Sequence, residues 1–134
     1  MAEPHPDVVD PHHPFVERLR GICMAYPEAA EAAAWGRATF RAGKKIFVVA
    51  GSSMEIPLSM VFKPDPDDDP ALRQDPRVFV PPYFGASGWL AIHLADGYWD
   101  EIAELVDASY RQVALKRQLV ALDARPGSDG GVPR

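Results

Sequence analysis

Cysteine is almost missing from this chain: Cys23 stands alone among 134 residues. A single thiol excludes an internal disulfide, and a reducing, cytoplasmic setting is the expectation. Long apolar runs are missing too. No stretch approaches the roughly 20 residues that a membrane-spanning helix requires, so no membrane partner is expected. The opening MAEPHPDVVDPHHP has neither a basic start nor an apolar centre, unlike a secretory leader. No internal repeat is present. Acidic residues are absent from positions 32 to 54, and that gap frames the one local constellation that suggests a task.

What is present describes an ordinary globular domain. Apolar residues make up 47% of the chain and charged residues 25%, enough for one hydrophobic core in a single domain. The net charge of −5 is unevenly placed. Residues 13–63 carry +3, residues 64–107 carry −8 and residues 108–134 carry +3, so two faces of opposite sign are expected.

Residues 36–51, GRATFRAGKKIFVVAG, read as a hairpin around which the rest is arranged. Ala38 and Phe40 alternate with Arg37, Thr39 and Arg41, and residues 45–49 are mainly β-branched and aromatic. Gly43 supplies the positive φ of a tight turn. Arg41, Lys44 and Lys45 then meet at one exposed tip.

Around this hairpin the pattern predicts alternating element types. A helix starts near Pro14, carries Phe15, Leu19, Ile22, Cys23 and Tyr26 on one stripe, and is closed by Pro27. An edge strand is expected around residues 31–35. Ile56, Leu58, Met60 and Phe62 mark a half-buried strand. Acidic residues 67–69 open a short helix, and residues 78–80 form a short strand. After a loop at 83–88, Leu90, Ile92 and Leu94 share one side of a last strand. A long helix from Tyr98 to about residue 122, capped by Asp96, buries Trp99, Ile102, Val106, Tyr110 and Val113. The fold class is α+β: an antiparallel sheet with N-terminal and long C-terminal helices packed on it. Residues 13–124 form the single domain, with disordered tails at 1–12 and 125–134.

Most chemical candidates fail on spacing. Asp65, Asp67 and Asp69 imitate the start of a calcium loop, but Pro70 and Pro76 stand where glycine and glutamate are required. His5, His12 and His13 sit in the tail without a scaffold. Cys23 lies on an apolar helical stripe, as a buried, inert thiol does. Ser87 lacks the spacing of a nucleophile elbow, and His93 reads as an exposed strand residue. No catalytic set, metal site or cofactor site is expected.

Four segments, taken in order, resemble the MmcQ/YjbR-like proteins. They are Gly36-Arg37-Ala38-Thr39-Phe40-Arg41, Gly43-Lys44-Lys45-Ile46-Phe47, Gly88-Trp89-Leu90, and Asp107-Ala108-Ser109-Tyr110-Arg111. The resemblance spans residues 15–122. It implies a CyaY-like, frataxin-like α+β fold and DNA binding through a double-wing arrangement, with no enzyme active site to carry over. It does not imply iron handling, because the first helix here has mixed charge. The resulting expectation is a monomer that binds DNA weakly and without sequence preference. Arg37, Arg41, Lys44 and Lys45 would carry the contact, helped by Arg111, Lys116 and Arg117. The alternative is a non-enzymatic protein-interaction or small-ligand-binding module using the aromatic loop 81–89, where Tyr83, Phe84 and Trp89 cluster.

Overall fold

A computed structural model describes residues 7–125 of the protein. Six strands make one antiparallel sheet in the order β1-β2-β3-β4-β6-β5. They are β1 (Ala29–Ala34), β2 (Arg37–Ala42), β3 (Lys45–Ala50), β4 (Ser59–Phe62), β5 (Val78–Phe79) and β6 (Leu90–His93). The helices are α1 (Pro14–Cys23), α2 (Asp69–Arg73), α3 (Trp99–Val113) and α4 (Lys116–Asp123). The α+β class is thus as expected, and the strand before the hairpin is present.

Helices α1 and α3 bury their stripes against one face of the sheet. Val16, Leu19 and Cys23 from α1 meet Ile102, Val106 and Tyr110 from α3 over Phe40, Val48, Met60, Phe62, Leu90 and Ile92. Trp99 and Tyr110 are buried, as the periodicity of the last helix requires, and Val113 is half-buried. Burial pushes the Cys23 thiol pKa well up, in keeping with an inert core residue.

A bulge in β3 decides which side chains face which way. Phe40 pairs with Val48, but the next residue, Arg41, pairs with Ile46, leaving Phe47 as an extra residue. Phe47 and Val48 therefore both enter the helix-side core, while Ile46 turns to the opposite face beside Arg41. The interrupted ladder is closed by a side chain. Ser109 Oγ donates to the Phe47 carbonyl at 2.5 Å and accepts from the Lys63 N–H at 2.9 Å. Val48 pairs with Phe62, so Phe47 and Lys63 are the two ends of the next rung, with the hydroxyl between them.

Several expectations are corrected. Strand β4 is only four residues long and buried on both faces, because Val61 is covered along with Met60 and Phe62. The covering comes from the segment after β5. There Phe84 and Trp89, with Phe79, pack on Val49, Val61 and Ala91. The single final helix is two helices. Ala114 and Leu115 are extended (ψ 150° and 159°), and Gln118 Oε1 accepts from the Leu115 N–H at 2.7 Å. Gln118 is buried and also donates to Glu28 Oε1 at 3.0 Å, which draws α4 back toward the hairpin turn. Asp96 does not cap α3, whose N-terminus has no side-chain cap. Residues 7–12 are not a loose tail: Val8 donates to the Gly36 carbonyl at 2.7 Å, and Val9 packs against the core. His13, also assigned to the tail, caps α1 by accepting from the Phe15 N–H at 3.0 Å. The remaining tail residues, 1–6 and 126–134, lie outside the described residues.

Ser109→Ala should leave the buried Phe47 carbonyl and the part-buried Lys63 N–H without this partner, costing about 1–3 kcal/mol. Phe40, fully buried, should cost about 3–5 kcal/mol on truncation to alanine. Urea unfolding of both variants measures these losses.

Candidate functional site

A groove of about 880 Å³ runs between the central hairpin and the loop after β5 on the open face of the sheet and reaches Val113 at the end of α3 beyond the hairpin tip. Arg37, Arg41, Lys44 and Lys45 line it from the hairpin, with Ile46 also exposed to it through the bulge. Tyr83, Phe84 and Trp89 line it from the loop. The basic tip and the aromatic loop, read from the sequence as competing sites, are therefore walls of one site. No aspartate or glutamate lines it.

The four cations are not equivalent. Arg37 Nη1 donates to the Gly51 and Ser52 carbonyls at 3.1 and 2.8 Å, and partial burial pushes its pKa down. It ties the two hairpin strands to the turn after β3. Arg41 Nε donates to Thr39 Oγ1 at 3.2 Å, and the buried Thr39 donates in turn to the Ala32 carbonyl at 2.7 Å. Its remaining guanidinium nitrogens have no carboxylate partner, and Lys44 and Lys45 are exposed and likewise without an ion pair among the described residues. Three cations are thus available.

Arg111, Lys116 and Arg117 are not in the groove lining. Arg111 is held by Asp107 and Asp123 at 2.8 and 3.0 Å, and Arg117 by Glu28 at 2.9 Å. Lys116 is exposed on α4. Arg117 does border a smaller cleft on the other flank of the hairpin turn, together with Glu28, Gly43, Lys44, Lys45 and Gln118. The Arg117 and Gln118 hydrogen bonds hold the Glu28 carboxyl below its ordinary pKa.

Backbone strain concentrates around this groove. Among the described residues, three that are not glycine have positive φ: Glu28 (58°), Trp35 (56°) and Tyr83 (66°). Trp35 and Gly36 are the two central residues of the β1–β2 turn, and both have positive φ, the signature of a type I′ hairpin. Asparagine is the usual residue at the first position, not tryptophan. Tyr83 (φ 66°, ψ −58°) is the centre of a γ-turn closed by Phe84 N–H to the Pro82 carbonyl at 2.7 Å. Trp35 reaches the loop, its ring 5.9 Å from Phe84, whose ring is 6.0 Å from Trp89. Sequence reasoning missed Trp35, treating it as the end of a strand. The signal was a tryptophan followed by glycine at a two-residue turn.

The family model of YjbR matches residues 24–112. The chain belongs to the YjbR family. A crystal structure of Deinococcus radiodurans protein DR2400, a DUF419 domain, superposes with a TM-score of 0.66 at 20% identity, covering 89% of this chain and 95% of that one. That likeness bears on the fold alone. No curated protein matches significantly.

The YjbR segments quoted from the sequence serve the scaffold as well as the groove. Asp107 accepts from the Tyr26 hydroxyl at 3.0 Å, Tyr110 donates to the Pro27 carbonyl at 2.7 Å, and Ser109 closes the bulge. Gly43 (φ 65°) turns the hairpin under the Gln118 amide. Among the described residues no group of three His, Cys, Asp or Glu side chains forms a metal-ligand set. No described helix is long and apolar enough to cross a membrane.

Acidic residues gather elsewhere. Asp68, Asp75, Glu101 and Glu104 line a cleft between α2 and α3 that shares no residue with the groove. Arg77 bridges Asp75 and Glu101 there at 2.7 and 2.8 Å. Its hydrogen bonds hold the Asp75 carboxyl down at about 2. A depressed folded-state pKa stabilises above the unfolded value and loses that contribution as pH falls. Asp75→Asn should therefore flatten the drop in thermal stability between about pH 4 and pH 2, measured by melting across that range.

Tyr83 gives a second test. Its side chain is 93% exposed, so replacing it removes almost no packing. Tyr83→Gly relieves a strained φ that costs on the order of 1–3 kcal/mol, against roughly 1 kcal/mol of added chain entropy. Unfolding free energy should stay level or rise by up to about 2 kcal/mol.

Proposed function

We propose that the protein binds nucleic acid through the groove, with Arg41, Lys44 and Lys45 neutralising phosphates. One observation carries this reading: three cations without carboxylate partners line a concave surface that holds no acid. Folding makes little use of these charges, and a polyanion would complement them. The net charge of −5 does not oppose the reading, because the acidic cleft lies at the β5 side of the sheet. Sequence preference should be small. The lining offers no Asn, Gln, Asp or Glu to read adenine or cytosine edges, leaving only arginine, lysine and the Ser87 hydroxyl as base-reading groups.

Counterion release gives the test. Each phosphate neutralised on duplex DNA contributes about 0.9 to the slope of log affinity against log salt, so three contacts give roughly −2.7. Lys44→Glu combined with Lys45→Glu should reduce that slope by about 1.8, with unfolding curves confirming an intact fold. Absence of binding to duplex and single-stranded DNA alike at low salt, or an unchanged slope in the folded double variant, would remove this reading.

A further inference from the structure

The geometry points to an unpaired strand, not a duplex, as the occupant of this groove: bases stack on Trp35 and Tyr83 while phosphates meet Arg41, Lys44 and Lys45. This rests on the nucleic-acid reading above and names its substrate class.

The first observation is exposure without structural use. Tyr83 is 93% and Trp35 50% exposed, and both rings line the same groove as the cations. The Tyr83 ring contributes almost nothing to the core. The second is where the rings are held. Trp35 and Tyr83 are two of only three non-glycine residues with positive φ among those described. Glycine would occupy either position without strain, so large rings persist at backbone positions that disfavour them. Strain of this kind clusters at ligand-contacting sites.

The third is the pairing of chemistries. Cations alone would suit any polyanion, and exposed rings alone would suit any flat apolar ligand. A groove offering both fits a chain that alternates phosphates with flat aromatic bases. In a duplex those base faces are already stacked on one another and withheld. In an unpaired strand they are free, and each base stacked on a ring contributes on the order of 5- to 150-fold in affinity. Arg37 and Arg41 lie on the same face of β2, about 13 Å apart at 3.3 Å per residue, so the groove runs lengthwise along a strand. That is the shape an extended polymer needs.

The experiment measures fluorescence anisotropy of the full chain with labelled DNA of about twelve nucleotides, within the range of known single-strand site sizes. The probes are an oligothymidylate, an abasic strand of equal length and a duplex of equal length. Oligothymidylate should bind at least about tenfold tighter than either other probe. Tyr83→Gly, and separately Trp35→Gly, should weaken oligothymidylate binding about fivefold or more while leaving the abasic strand and the salt slope unchanged. Melting curves of the variants control for folding, and Tyr83→Gly is expected to be at least as stable as the parent. Lys44→Glu with Lys45→Glu should weaken oligothymidylate and abasic strands alike. An oligouridylate should match the oligothymidylate, because base faces and phosphates are common to both. Equal affinity for abasic and base-bearing strands, duplex binding as tight as single-strand binding, unaltered binding by the ring variants, or a tenfold preference between the two sugars would each overturn the inference while lysine-dependent binding survived. If no probe bound at all, the nucleic-acid reading itself would fall.

Discussion

The hydroxyl of Ser109, set between the Phe47 carbonyl and the Lys63 N–H, is the contact on which the site's geometry depends. A regular β3 would alternate, placing Ile46 inward with Val48 and pointing Phe47 outward. The bulge reverses that parity at Ile46 and Phe47, while Lys45 pairs with Ala42 beside the turn and reaches the groove from the tip. Phe47 turns inward, where its ring meets Tyr26 and Tyr110 at centroid distances of 6.0 and 5.2 Å. Ile46 turns outward to join the open-face cluster beside Arg41. A buried backbone carbonyl without a partner would make this arrangement costly, and helix α3 supplies the partner. The helix therefore does more than cover the sheet: it holds the irregularity that aims the hairpin.

The groove illustrates how a stable scaffold carries unfavourable local geometry. Trp35 is fixed by a two-residue turn between fully paired strands, and Val8 adds a bond to the Gly36 carbonyl. Tyr83 follows Pro81-Pro82, and Gly85 and Gly88 close a short 3-10 turn behind it. Glu28 is held by Arg117 and Gln118, while its carbonyl accepts from the Gly43 N–H at 2.9 Å. Each strained residue is bracketed by contacts that leave it no alternative, which is the condition for strain to survive in a folded protein. All three lie beside the hairpin or the groove, and none is in the helix-packed core.

How much of this was legible in the sequence depended on whether the pattern was local. The alternation of Ala38 and Phe40 with Arg37, Thr39 and Arg41 fixed the faces of β2, and Gly43 fixed its turn, because both signals sit within a few residues. The stripe from Trp99 to Tyr110 was equally plain. The bulge was not, since KIFVV carries no glycine or break, and its cause, Ser109, is 62 residues away. The end of α3 was hidden for the same reason. Ala114 and Leu115 are compatible with helix, and the chain turns there because Gln118 is claimed by Glu28, 90 residues earlier. The candidate site was half legible. Its cations and its loop aromatics were both identified, but the crossing of loop over sheet that joins them is a tertiary fact, and it made one groove of two candidates.

An acidic protein with a basic groove raises the question of which charge an approaching polyanion meets. Sheet order answers it. The acidic cleft borders β5 and α2, and β5 is separated from β3 by β4 and β6. Three inter-strand intervals of about 4.8 Å place the two regions roughly 14 Å apart, and β2 about 5 Å farther. At physiological ionic strength the screening length is about 8 Å, so the acidic edge is largely screened from a ligand in the groove. At ten millimolar salt that length grows to about 30 Å, and the −5 net charge reaches the whole molecule. Attraction to the groove and repulsion from the acidic edge then strengthen together. Affinity should consequently gain less on dilution of salt than three phosphate contacts alone would give, and the log–log plot should bend toward a shallower slope at its low-salt end. A basic protein of the same fold would show no such bend, so the curvature itself reports that opposite charges lie at opposite sides of one sheet.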